Sequence, residues 1–164
     1  WERLVEIIPR GGVFVTKIEF QSLRDIFHVR VYIEGLMARL AASNITDIHL
    51  DEMRKLKKEC ENIKNSSDPR KLIKVDIRLR EIIHQIVDSK DLVELSDYLY
   101  CRTLRIWYSV FSKSSFHREV ERQIQEINNT LYLFSKKDPK KVEEYNRKIM
   151  REHIERIKKY FSLN

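Results

Sequence analysis

Asp76 is the residue whose position asks most for an explanation. It falls among Leu72, Ile73, Leu79, Ile83 and Ile86, an apolar stripe at helical spacing on which an unpaired carboxylate is costly to bury. Arg80 lies one helical turn further on, within reach of an i,i+4 ion pair. Arg30 occupies the inward side of another apolar stripe, Leu23, Ile26, Phe27, Ile33, Met37 and Leu40. There it can answer a buried acid such as Glu34, or clamp a ligand's carboxylate through the two-pronged geometry of a guanidinium. His153 sits among Val142, Tyr145, Ile149, Met150, Ile157 and Phe161, either as a hydrogen-bonded core histidine or as a contact to a ligand. These residues suit binding of a small anion better than catalysis, because no nucleophile with a base and no Glu-x-x-His pattern accompanies them.

Six helices have to position these side chains. Three glycines and three prolines in 164 residues fall far below the ordinary usage of about 7% and 5%, leaving little turn chemistry for a many-stranded sandwich or barrel. Ser22 opens a serine-x-x-acid capping pattern with Asp25, and helix one follows to about Ala42. Thr46 caps a second helix reaching Asn65, and Asp68-Pro69 starts a third that stops near Asp88. Ser89 caps a fourth, with Leu92, Leu95, Leu99, Arg102 and Ile106 as its stripe. Lys113-Ser114-Ser115 opens a fifth and Asp138-Pro139 a sixth. Before them, apolar runs flank Pro9-Arg10-Gly11-Gly12, which reads as a β-hairpin. The fold class is therefore all-α, an antiparallel bundle of about six helices preceded by a short hairpin.

The excess of 32 Lys and Arg over 25 Asp and Glu, a net +7, is spread at helical spacing. The runs near Lys55, Lys136 and Lys158 have acidic neighbours, which describes a solvated face before a nucleic-acid groove. Cys60 and Cys101 are too far apart for a metal knuckle or a redox pair, and two free thiols suit a reducing compartment, so the cytoplasm is expected. No apolar run is long enough for a membrane span. The chain opens on Trp1 inside an apolar run, without an initiator Met, and is expected to be a piece of a longer protein.

Ile8-Pro9-Arg10-Gly11-Gly12-Val13-Phe14-Val15, followed by Leu23 through Leu36, resembles the end of the winged helix-turn-helix and the start of the effector domain in GntR transcription regulators of the FadR subfamily. The likeness continues through Leu40-Ala41-Ala42 with Thr46, Asp76 with Leu79, the Ser89 to Leu92 helix start, and Met150 with His153. It implies that residues 1–18 are a remnant of the DNA-binding wing and that residues 19–164 form an effector-binding, dimerising domain of FCD type. Arg10, Gly11 and Gly12 would then lie at the wing tip, where arginine is drawn by the negative potential of the minor groove and glycine permits close approach.

The resemblance also implies a metal site of an Asp and a His at i and i+4 with two further His, a set suited to Zn or Ni. Only Asp76 and His153 match it. Arg80 replaces the second ligand and cannot ligate, Ile127 or Asn128 falls where a His belongs, and His117 lies about three turns away. No cofactor is therefore expected, with Asp76 and His153 as the fallback ligands. For Asp76 a metal and an ion pair with Arg80 compete. If Asp76 steadies Arg80, then Arg80 with Arg30 can hold a carboxylate or phosphate to which His153 donates. The alternative is a collapsed cavity in which Asp76 and Arg80 spend each other's charge.

The function these readings favour is non-enzymatic: ligand sensing and dimerisation in a DNA-binding regulator. Its partners are a small organic acid or acyl effector, a second copy of the chain, and operator DNA through the winged domain. A metal-dependent helical enzyme and a ligand-free interaction module are the alternatives. Apolar residues beyond a single stripe, Val29, Val31, Tyr32 and Leu36 on helix one and Tyr98, Tyr100, Leu104 and Trp107 on helix four, are the expected dimer contacts.

Overall fold

In the computed structural model, which describes residues 5–162, Val5–Ile8 (β1) and Gly12–Val15 (β2) pair antiparallel in the register Val5↔Val15 to Ile8↔Gly12. Trp1 and the rest of residues 1–4 lie outside the described residues, as do 163 and 164. The turn closes with the Gly11 N–H donating to the Ile8 carbonyl at 2.8 Å. Its glycines meet different needs. A Cβ on Gly11 would come within 2.8 Å of Ile8 Cγ2, whereas Gly12 has φ of +107°. Arg10 also takes a left-handed conformation, at φ 62°, which is uncommon for a residue with a Cβ. Every residue of both strands is exposed, apolar Ile7 and Val15 included.

Six helices follow: α1 (Phe20–Asn44), α2 (Asp47–Asn62), α3 (Pro69–Ile86), α4 (Lys90–Lys113), α5 (Phe116–Ser135) and α6 (Pro139–Ser162). The fold is an all-α bundle with an N-terminal hairpin. Two starts show their local cause. Asp68 Oδ1 accepts from the Arg70 N–H at 3.0 Å with Pro69 in the first turn, and Asp138 Oδ1 accepts from the Lys141 N–H at 3.2 Å. At α2, His49 Nδ1 accepts from the Thr46 N–H at 3.3 Å, so a histidine fills the place an acid usually takes in a capping box.

Several boundaries and faces depart from the sequence expectation. Helix α1 begins at Phe20, ahead of Ser22, because Phe20 packs on Phe161 of α6 with ring centroids 5.6 Å apart; α2 ends at Asn62 and not Asn65. On α4 the buried face runs through Ser96, Leu99, Tyr100, Thr103, Ile106 and Trp107, while Leu95 is exposed. Two hydroxyl residues therefore stand where an apolar stripe was expected.

The longest partnership in the bundle is α1 along α6, with α2 against α5 and α3, and α4 touching α1 and α3. Phe27, Met37, Met53, Leu72, Ile106, Ile127, Phe134 and Ile157 form the fully buried centre, each such side chain contributing about 1.5–3 kcal/mol by leaving water. Close passage of α6 over α1 uses Gly35, since a Cβ there would lie 2.7 Å from Arg147 Cγ. Among the described residues no helix is long and apolar enough to cross a membrane.

Candidate ligand-binding site

Between the helices lies a cavity of about 100 Å³, several times the ~10–15 Å³ that one water requires on the same measure. Arg30, Asp76, Arg80 and His153 all line it. The structure thus brings together four residues that the sequence singled out on α1, α3 and α6. The pairing of Arg30 with Glu34 that the sequence offered is formed, and what the sequence reading missed is that Glu34 also takes Arg80 and Ser96 and so is the hub.

A single oxygen, Glu34 Oε1, accepts from Arg30 Nε at 3.1 Å, Arg80 Nη1 at 3.0 Å and Ser96 Oγ at 3.1 Å. Burial alone would raise this carboxyl's pKa, but the charges and hydrogen bonds of Arg80 and then Arg30 outweigh it and hold the group below the usual range. Arg80 is fixed further by donating to Ser96 Oγ at 2.8 Å and Asp97 Oδ1 at 3.3 Å. Its Nη2 also stands 3.4 Å from His84 Nε2. A guanidinium has no acceptor, so His84 Nε2 must present its lone pair. Burial, then the Arg80 charge, lower the His84 pKa, in keeping with a neutral ring. Arg30 completes its set by donating to Thr103 Oγ1 at 3.0 Å, and Thr103 passes the chain on to the Tyr100 carbonyl at 2.8 Å.

The expected pairing of Asp76 with Arg80 is not formed. Asp76 Oδ2 instead accepts from the Tyr100 hydroxyl at 2.7 Å. Burial, then the Asp76 charge, push the Tyr100 phenol far up, so it remains a donor. The Arg80 guanidinium lies over the Tyr100 ring, 4.1 Å from Cζ to the centroid. The reason is reach across the bundle: α1 and α4 offer Arg80 a buried acid and a hydroxyl at good geometry, while the Asp76 carboxylate is taken up by the Tyr100 hydroxyl.

On the other wall, His153 packs against Trp107 with centroids 4.9 Å apart and faces Glu126 Oε1 at 3.6 Å. Burial raises the Glu126 pKa, yet His153, Arg156 and Arg122 together bring it below the ordinary value. Buried Glu119 accepts from Arg122 Nη1 at 3.0 Å and from Arg156 Nη2, and Arg156 also covers the Trp107 ring at 4.9 Å. Three lining groups are left open: Gln123 Nε2, Tyr145 OH and Asn146 Oδ1 are buried without a hydrogen-bond partner. Asn129 faces Tyr145 without meeting hydrogen-bond geometry, and burial pushes that phenol up to about 12. An unsatisfied buried polar group costs about 1–3 kcal/mol, which is the mark of a site shaped for something other than stability.

The donor set does not fit a metal ion. The position one turn after Asp76 carries a guanidinium held by Glu34, Ile127 is fully buried where a third ligand would stand, and among the described residues no three His, Cys, Asp or Glu gather in a way that could hold one. Cys60 is buried, its thiol pushed up to about 12 by that burial, and so is unreactive.

Arg10, Gly11 and Gly12 lie at the exposed hairpin tip, remote from the cavity lining. Arg105 reaches back to the residue after β2, donating to the Thr16 carbonyl at 2.7 Å and to Thr16 Oγ1 at 3.2 Å; Arg102 donates to Ser22 Oγ at 3.4 Å. Of the expected dimer contacts, Val31, Tyr100 and Trp107 are buried within the chain and so are withdrawn, while Val29, Tyr32 and Leu36 are exposed.

Residues 25–156 match the family model described as the FCD domain. No curated protein matches. Solved structures are similar, among them the following two. Escherichia coli McbR/YncC superposes with a TM-score of 0.86 at 19% identity, covering 98% of this chain and 75% of that one. Streptococcus agalactiae GntR does so with a TM-score of 0.63 at 15% identity, covering 94% and 75%. At such identities the likeness is one of fold.

Proposed function

Because the chain belongs to the FCD domain family, we propose that residues 19–164 are the effector-binding and dimerisation domain of a GntR-type transcription regulator, and that residues 1–18 are the wing of its DNA-binding domain. The observation that carries the reading is the cavity between the helices. It collects Arg30, Asp76, Arg80 and His153 from three helices and keeps three buried polar groups unpaired. An enzyme would need a nucleophile with its base or a metal, and the lining offers an ion-pair network instead. The protein regulates by binding and works in the cytoplasm.

The wing assignment is supported by the hairpin's exposed apolar residues on both faces, since two strands alone are marginal in water. It is supported also by the likeness to McbR/YncC, which at 98% of the chain extends beyond the family match into the hairpin. Operator DNA is contacted through the winged domain, with Arg10 at the wing tip. The ligand shifts the balance between two placements of the DNA-binding heads, which requires that it bind one placement more tightly than the other.

An organic acid was expected on the premise that Arg80 and Arg30 present free charge. Both are engaged by Glu34, so the effector is proposed here only as a small molecule. A thermal-shift screen of small organic compounds and divalent metals, run beside light scattering, tests the function. Stabilisation by a small compound that Gln123→Leu removes is expected. A monomer that no compound stabilises would sink the reading.

A further inference from the structure

We propose that the cavity takes an uncharged polar molecule of few heavy atoms, one that carries hydrogen-bond donor and acceptor together as a primary amide does, recognised by Gln123, Tyr145 and Asn146. This deepens the effector reading and rests on it.

The first argument is charge. On the side formed by α1, α3 and α4, Arg30 and Arg80 stand against Glu34 and Asp76, with Asp97 also on Arg80 at the exposed edge; on the side formed by α5 and α6, Arg122 and Arg156 stand against Glu119 and Glu126. Neither side holds surplus arginine charge, and the arginines are already bonded: Arg30 and Arg80 to Glu34, Arg122 and Arg156 to Glu119. A carboxylate or phosphate would either add an uncompensated charge beside these buried pairs or displace Glu34 from three contacts of 3.0–3.1 Å, and both are unfavourable. An uncharged guest disturbs neither set.

The second argument is the unpaired atoms. Gln123 is 7% exposed and its Nε2 donor, lining the cavity, has no partner. The Tyr145 hydroxyl, still protonated near neutral pH, can donate or accept, and Asn146 Oδ1 accepts. A guest carbonyl answers Gln123, a guest N–H answers Asn146, and either group answers Tyr145. A carboxylate has no proton to offer Asn146. Leu79, Ile83, Ile149 and Met150 line the same space and can pack a short carbon skeleton, the usual division between apolar lining and a few placed polar groups. The volume of about 100 Å³ suits a short skeleton.

The test is calorimetry with pairs of one carbon skeleton in which a neutral amide, with its N–H donors, replaces the charged carboxylate: propionamide against propionate, lactamide against lactate, and succinamide against succinate. At least one amide is expected to bind tenfold or more tightly than its acid. That binding should fall at least tenfold in Gln123→Leu and in Asn146→Leu, and remain unchanged in Lys158→Gln, an exposed position away from the cavity. Gln123→Glu guards against a packing fault, since it keeps the shape while turning the donor into an acceptor and should abolish amide binding in a protein with wild-type circular dichroism. Acids that bind as tightly as their amides, with loss in Arg80→Ala, would overturn the uncharged guest and leave the effector cavity standing. Binding of neither member of any pair would overturn both. Amide binding indifferent to Gln123 and Asn146 would overturn the assigned recognition.

Discussion

Arg80 Nη1 donates to Glu34 Oε1 at 3.0 Å, tying α3 to α1 across 46 residues of sequence. The pair is almost fully enclosed, with side chains 12% and 10% exposed, and Arg30 shares the same oxygen. Removing the acid would strand two buried cations. Glu34→Gln is therefore expected to destabilise the chain by about 3–5 kcal/mol, the cost of breaking one side of a buried ion pair. Urea unfolding followed by tryptophan fluorescence measures it; a loss below ~1 kcal/mol would mean the network is solvated and the balanced-charge argument fails.

Acid should weaken the fold in two stages. The His84 pKa is lowered from 6.5 in the folded state, by burial and by Arg80. It thus adds stability that is present above about 6.5 and lost as pH falls through its folded value. Glu34 and Glu126, lowered from 4.5, add stability present above about 4.5 and lost as pH falls further. Unfolding free energies collected from pH 8 down to pH 3 should decline across both windows. His84→Asn should flatten only the upper one, and an unchanged upper slope would remove His84 from the account.

For the dimer, the exposed Val29, Tyr32 and Leu36 of α1 and the half-buried Tyr98 and Leu104 of α4 are the contacts that remain after Val31, Tyr100 and Trp107 prove to be internal, and those of α1 are the more exposed. The chain is expected to scatter as a dimer at tens of micromolar, and the double change Tyr32→Asp with Leu36→Asp to yield monomers that keep their helical circular dichroism. Two-fold pairing suits a protein that must address two operator half-sites. Dimers that survive both charges would place the interface elsewhere.

Arg105 holds the segment between β2 and α1 through two hydrogen bonds to Thr16. In Arg105→Ala the amides of residues 5–18 should exchange with deuterium faster, while those of α2 and α5 keep their protection, because the loss is local and worth about 1–3 kcal/mol. Equal exchange in both proteins would show that the hairpin is steadied without this arginine.

The helices were written in local chemistry. Asp68-Pro69 and Asp138-Pro139 start α3 and α6, and the apolar spacing of α5 and α6 identifies their inward faces; such signals act within one or two turns and need no knowledge of the neighbours. The chemistry-bearing residues Arg30, Asp76, Arg80 and His153 could be singled out for the same reason, as polar groups on apolar stripes. Their partners across the bundle could not. Glu34 could be named for Arg30 one turn away but not for Arg80, and Ser96, Thr103 and Gln123 look in sequence like ordinary helix-surface residues, since nothing within a turn of Ser96 announces that Arg80 will stand 2.8 Å from it. Long-range packing chose Glu34 over Asp76 for Arg80, because only a carboxylate from α1 met the guanidinium, out of water and beside a second arginine, with enough hydrogen bonds to offset the burial of all three charges.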